Sequence, residues 1–143
     1  MNEENENVAR AREATEAFTR GDIEAFLATL HPEVEIFSTP ELPNPGTFVG
    51  REGWVEWTSA WFEAWEGFEV EIMEYEAVGR RHVVMPAVQR AKGAGSGVPV
   101  EMRAYYLGEY RDGLAVRFHL YATHDDALAA ARAGEAEEDQ AVP

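Results

Sequence analysis

Two helices and a strand follow one another almost without connection between Glu6 and Ser38, and this spacing constrains the fold more than any other stretch. Val8, Ala11, Ala14 and Phe18 recur near the 3.6-residue period and predict a first helix from about Glu6 to Arg20. Gly21 supplies a left-handed exit. Asp22 then caps a second, short helix whose inner face is Ile23, Phe26, Leu27 and Leu30. Pro32 stops that helix, and Val34, Ile36 and Ser38 share one face of the strand that follows at once.

Beyond this opening, Thr39 to Phe48 reads as a stiff loop with three prolines. Such a loop either frames a binding site or simply connects. A third helix is expected from about Arg51 to Trp65. Trp54, Trp57, Trp61 and Trp65 are spaced 3, 4 and 4, which puts four indoles on one stripe. Strands follow at Phe68, Val70 and Ile72, at Val83 to Ala91, at Val98 to Tyr110 and at Leu114 to Thr123. Pro86 inside the second of these suits an edge or a bulge. Asp125 to Arg132 closes the chain as a short helix. Helices early and strands late argue α+β rather than a parallel sheet. Residues 1–6 are expected to be flexible, 7–134 to form one domain, and 135–143 to be a disordered acidic tail.

The last two strands test the register. Opposed residues share a face, so their numbers must sum to an even total. A two-residue Asp112-Gly113 turn pairs Arg111 with Leu114, an odd total, and mixes the faces. A three-residue loop, Arg111-Asp112-Gly113, keeps them apart and predicts Tyr106 opposite Phe118 and Ala104 opposite Leu120. Tyr105, Leu107, His119 and Tyr121 then form an outer face too aromatic for a fully solvated sheet, and a homodimer through that face is expected.

Composition excludes several functions. The formal charge of -15 opposes nucleic-acid binding, which needs clustered Lys and Arg. No apolar run approaches the ~20 residues that cross a bilayer, no signal peptide is read at Met1 to Glu6, and a cytoplasmic location is expected. The absence of cysteine rules out disulfides and thiolate chemistry. Four scattered histidines predict no metal site; His31 and His124 read as structural. No glycine-rich phosphate loop opens a helix after a strand, so no cofactor is expected.

The Gly21-Asp22 start, Gly50-Arg51-Glu52-Gly53 opening the third helix, Gly95-Ser96-Gly97-Val98, and Arg111-Asp112-Gly113 through Asp126-Ala127-Leu128 resemble, in their order, the SnoaL-like, nuclear transport factor 2-like superfamily. The resemblance covers roughly Val8 to Gly134 and extends to the SnoaL-like proteins common in actinobacterial genomes. It implies a strongly curved, mostly antiparallel sheet wrapped over three N-terminal helices to make a conical pocket. Ketosteroid isomerases of this fold place a catalytic Asp on the first strand, and the matching position here is Ser38. Their oxyanion donors match Ala14 and Tyr106. Polyketide cyclases and epoxide hydrolases carry an Asp on the last strand, where this chain has Leu120. The usual bases of each chemistry are therefore replaced, and steroid Δ5-ketone isomerisation is expected to be undetectable or very slow.

Shared strand parity and the indole stripe predict a cavity lined by Ile36, Ser38, Trp57, Trp61, Tyr106, Phe118 and Leu120. Tyr106 is the leading polar candidate, weighed evenly against a core tyrosine. Glu74 and Glu76 are candidates for an inward carboxylate, against the simpler exit of their strand into solvent. A small-molecule-binding protein is the expected function, with an apolar pocket for a small hydrophobic ligand. An isomerase, cyclase or hydratase of a polyketide-, steroid- or lipid-like substrate is the alternative. A structural homodimer with a filled cone is the third reading.

Overall fold

A computed structural model describes residues 5–40 and 46–141, with side chains other than those of 61, 62, 64 and 138–141. The elements are α1 (Glu6–Thr19), α2 (Ile23–Ala28), β1 (Leu30–Ser38), β2 (Gly46–Val49), α3 (Gly50–Ala64), β3 (Trp65–Ile72), β4 (Glu76–Val78), β5 (His82–Gly93), β6 (Pro99–Arg111), β7 (Leu114–Tyr121) and α4 (His124–Ala141). The cap expected at Asp22 is formed, and Asn5 supplies another at the start of α1. Asn5 Oδ1 accepts from the N–H groups of Asn7 and Val8, and the Asp22 carboxylate accepts from Ala25 N–H at 3.1 Å.

The strands form one curved, open, mixed sheet in the order β2-β1-β7-β6-β5-β3, with β4 also on β5. All pairs are antiparallel except β1 with β7. Register shifts in β1/β7, β3/β5 and β6/β7 bend the sheet where a flat one would leave the helices unsupported. The three N-terminal helices cover the concave face, and α4 lies on the other. The Arg51 guanidinium ties the start of α3 to β1, donating to the Leu30 carbonyl at 2.7 and 3.0 Å. The α+β architecture implied by the resemblance is the one observed.

Several local expectations need correction. The β6/β7 turn is the two-residue Asp112-Gly113, both at positive φ, with Arg111 opposite Leu114. A bulge between the Tyr110–Ala115 and Glu109–Arg117 pairs restores even parity, so the faces still separate. The consequence is a two-residue slip from the expected pairing: Tyr106 faces Leu120, and Phe118 faces Gly108. Trp65 begins β3 opposite Gly93 instead of ending the third helix. The final helix is longer than the expected Asp125 to Arg132, and within it Glu135 accepts from the N–H groups of Arg80 and Arg81 in the turn before β5. Of the proline-rich loop, 41–45 lie outside the described residues.

Pro86 sits in an interior strand, where β5 changes partner. His82 to Val84 pair with β4, and Ala87 to Gly93 with β3. The Pro86 carbonyl accepts from Met73 N–H at 2.8 Å, so its ring nitrogen faces that seam and not β6, where a ladder donor would be missed.

Candidate functional site

The sheet's two-residue period sends alternate side chains of β5, β6 and β7 under the helices. Met85 and Gln89, Tyr106 and Tyr110, and Ala115 and Phe118 point inward there. Phe68, Val70 and Ile72 of β3 close one side, and Ala11, Ala14, Thr15, Phe18, Phe26, Trp54, Trp57 and Thr58 of the helices form the roof. Together they enclose a cavity of about 80 Å³, against the ~10–15 Å³ that one water needs. Phe18, Phe26 and Trp54 make an aromatic cluster in the roof, with centroids 4.6 to 6.3 Å apart. Tyr106 and Phe118 meet on the opposite wall at 5.4 Å.

The polar groups in this lining are few and neutral. Gln89 Nε2 donates to the Tyr106 hydroxyl at 2.5 Å, which leaves the phenolic proton of Tyr106 unspent. Burial pushes that phenol up to about 12 despite the bond from Gln89, so it stays protonated at any physiological pH. The Thr15, Thr29 and Thr58 hydroxyls donate back to the carbonyls of Ala11, Phe26 and Trp54 at 2.9, 2.6 and 2.9 Å. No Asp, Glu, His, Lys or Arg is among the described residues of the lining. Metal ligation has no set of three His, Asp or Glu groups to use among the described residues.

Of the residues expected to line the cavity, Trp57, Tyr106 and Phe118 do so. Ile36, Ser38 and Leu120 have the expected inward parity but are packed solid beside it, at 0%, 1% and 0% exposure. The Ser38 hydroxyl has no hydrogen-bond partner there. Trp61 is on α3, with its side chain outside the described residues. Neither Glu74 nor Glu76 turns inward: Glu74 is exposed, and Glu76 meets His124 at 2.9 Å beside α4. His31 Nδ1 accepts from Glu33 N–H, a local structural bond. Sequence reasoning missed Gln89, Met85, Tyr110 and the β3 residues. Their alternation is visible in the chain, but the register that brings β3 and β5 against the helices is not.

The outer face carries the charges. His82 Nδ1 lies 2.6 Å from Glu135 of α4, and its Nε2 lies 3.4 Å from Glu109 of β6. Arg117 donates to Glu109 at 2.6 Å, and Arg111 approaches the same carboxylate at 3.5 Å. The N–H groups of Arg80 and Arg81 donate to Glu135 at 2.9 and 2.8 Å. Burial alone lowers the His82 pKa, but the two carboxylates raise it above the usual histidine value. Burial likewise works against the Glu109 carboxylate, yet His82 and Arg117 hold it down to about 2. Gly134 permits this approach, since a Cβ there would stand 2.7 Å from His82 Nε2. Leu107, expected on a dimer surface, lies instead beneath α4 with Val84, Ala127 and Ala131. Tyr105 and Tyr121 pack at the margin of that cluster. His119 bonds Glu35 at 2.7 Å and meets Phe37 and Tyr121 edge to face. No helix among the described residues is long and apolar enough to cross a membrane.

The sequence model of the SnoaL-like domain family matches residues 11–118. Among curated proteins none matches the sequence. Many solved structures share the fold. An NTF2-like protein from Burkholderia thailandensis E264 is 20% identical, with 88% of this chain and 96% of that one covered at a TM-score of 0.74. TerC, co-crystallised with polyporic acid, is 20% identical, with 89% and 98% covered at 0.73. A putative polyketide cyclase from Xanthomonas campestris pv. campestris is 18% identical, with 88% and 96% covered at 0.67.

Proposed function

The chain belongs to the SnoaL-like domain family, and on that premise we propose that it binds a small, uncharged, hydrophobic molecule in the cavity between the sheet and α1 to α3. The observation that carries this reading is the lining itself. It is aromatic and aliphatic, with a Gln89–Tyr106 pair aimed at an acceptor oxygen and no ionised side chain among its described residues. A carbonyl accepting from Tyr106 meets a fixed donor, whereas a carboxylate loses its hydration with no cation to replace it. The crystallised complex of TerC with polyporic acid supports a small-molecule role for this architecture.

The test is a calorimetric titration with the neutral ketone 1-tetralone and, in parallel, with 1-naphthoate. Binding of the ketone and not of the carboxylate is expected. Equal or stronger binding of the carboxylate overturns the reading. Ala14→Leu pushes a larger side chain into the open space under α1. It should abolish ketone binding at a stability cost of no more than ~1–3 kcal/mol, read separately by urea unfolding.

An isomerase, cyclase or hydratase acting on a polyketide-, steroid- or lipid-like substrate is the second reading, favoured by the likeness in fold to a putative polyketide cyclase. Proton abstraction from carbon needs a base near the bound oxygen. The described lining offers donors and no such base, so binding without turnover has the better support. The discriminating measurement is deuterium exchange at the carbon next to the carbonyl of 1-tetralone, followed by NMR. Acceleration by the protein would restore the enzyme reading.

A further inference from the structure

We propose that Tyr110, laid over Gly108, is a second hydrogen-bonding anchor of the cavity, which therefore selects neutral ligands with two acceptor oxygens over those with one. This rests on the binding reading above and deepens it. Tyr110 is 5% exposed and lines the cavity, and burial together with the nearby Tyr75, not a hydrogen bond, sets the state of its phenol. A ligand oxygen that reaches this phenol gains a hydrogen bond from it.

The ring's position explains where the donor points. A Cβ on Gly108 would stand 2.7 Å from Tyr110 Cε2 and 2.9 Å from its hydroxyl. The ring thus lies along the inner face of β6, over Gly108 and back towards Tyr106. Only glycine leaves room for it. Tyr110 and Tyr106 consequently line the same cavity from one strand. The three threonine hydroxyls of the lining have already given their protons to helix carbonyls, so among the lining hydroxyls only the two phenols can donate. Burial raises the Tyr110 pKa further, with Tyr75 adding to the effect, so this phenol too is a donor and never an anion at neutral pH. Two neutral donors on one wall, facing an aromatic roof, fit a flat ring system with oxygens at two positions, such as a dione or quinone.

The experiment compares 1-tetralone with 1,4-naphthoquinone, a pair of one ring size with one and two carbonyls. The chain contains no cysteine, so thiol addition does not confuse the quinone titration. Wild type is expected to bind the quinone at least tenfold more tightly. Tyr110→Phe keeps the ring and should remove that preference, weakening the quinone about tenfold and leaving the ketone within twofold. Gly108→Ala displaces the ring and should act in the same direction. Tyr106→Phe should weaken both ligands alike. Equal binding of the two by wild type, or a Tyr110→Phe effect common to both, overturns the second anchor alone. Failure of wild type to bind either probe overturns the binding reading and this inference with it.

Discussion

The two faces of the sheet are built from the same strands and follow opposite electrostatic rules. On β5, β6 and β7, one set of alternate residues gives Met85, Gln89, Tyr106 and Phe118, all neutral, under the N-terminal helices. The other set gives His82, Glu109, Arg117 and His119 on the outer face. A single-residue step along a strand therefore separates a neutral cavity from a charged clamp. The clamp can sit in a buried place because it is nearly complete: each charged group has at least one opposite partner within 3.5 Å. The cavity avoids the desolvation problem by having nothing to ionise. The lesson is that the outer face is specified by long-range pairs that hold α4, and the inner face by shape and a few neutral donors.

That contrast breaks most sharply at Glu109. Glu109→Ala takes one of two carboxylates from His82 and the shortest partner from the half-exposed Arg117, and should destabilise the protein by ~1–3 kcal/mol in urea unfolding. A cost below that of an inner-face substitution such as Tyr106→Phe would show that the clamp is dispensable.

A smaller effect is expected from pH. The folded pKa of His82 is raised, so its contribution is complete below the unfolded value of 6.5 and is lost as pH rises through the folded value. Glu109 and Glu135 are lowered, so theirs is complete above 4.5 and fades as pH falls, towards about 2 for Glu109. The clamp is strongest between about 4.5 and 6.5. His119 works in the opposite sense. Burial lowers its pKa against the pull of Glu35, so it costs stability as pH falls below 6.5. The hydrogen bond to Glu109 raises the Arg117 pKa, so this guanidinium stays charged throughout. The difference between wild type and His82→Gln isolates the clamp, and it should shrink as pH rises, by at most ~1.4 kcal/mol per unit. A pH-independent difference would show that His82 is neutral in the fold.

The smallest effect is at Ser38. Its hydroxyl is buried without a partner, so Ser38→Ala should be neutral or stabilising by up to ~1 kcal/mol, read from the urea midpoint. A loss beyond that would mean the hydroxyl bonds a group within the protein.

Much of this contrast was legible in the chain. The helix caps, the alternation of Phe68, Val70 and Ile72, and the inward parity of Tyr106 and Phe118 come from local periodicity, which survives folding. The turn at Asp112-Gly113 was misread because a bulge one pair away reverses the parity that the turn disturbs, and alternation cannot reveal an inserted residue. Ile36, Ser38 and Leu120 were assigned the correct face but not the correct depth, since period two carries no information about position along the cone. The run of the last helix past Arg132 escaped notice because one of its anchors, Glu135 to Arg80, Arg81 and His82, joins residues more than fifty positions apart. Composition there reads as tail.

Pro86 has a bearing on how such a protein diversifies. Because β5 changes partner at this residue, the link 73–75 joins two short strands with different allegiances: β3 walls the cavity, and β4 abuts α4. Insertions in that link lengthen the chain at a point where the sheet is already interrupted. The Met73–Pro86 bond and the Tyr75 ring, over which the Arg12 guanidinium lies, are at stake. Descendants of this sequence can therefore remodel one rim of the cavity by loop exchange while inheriting the α4 attachment intact.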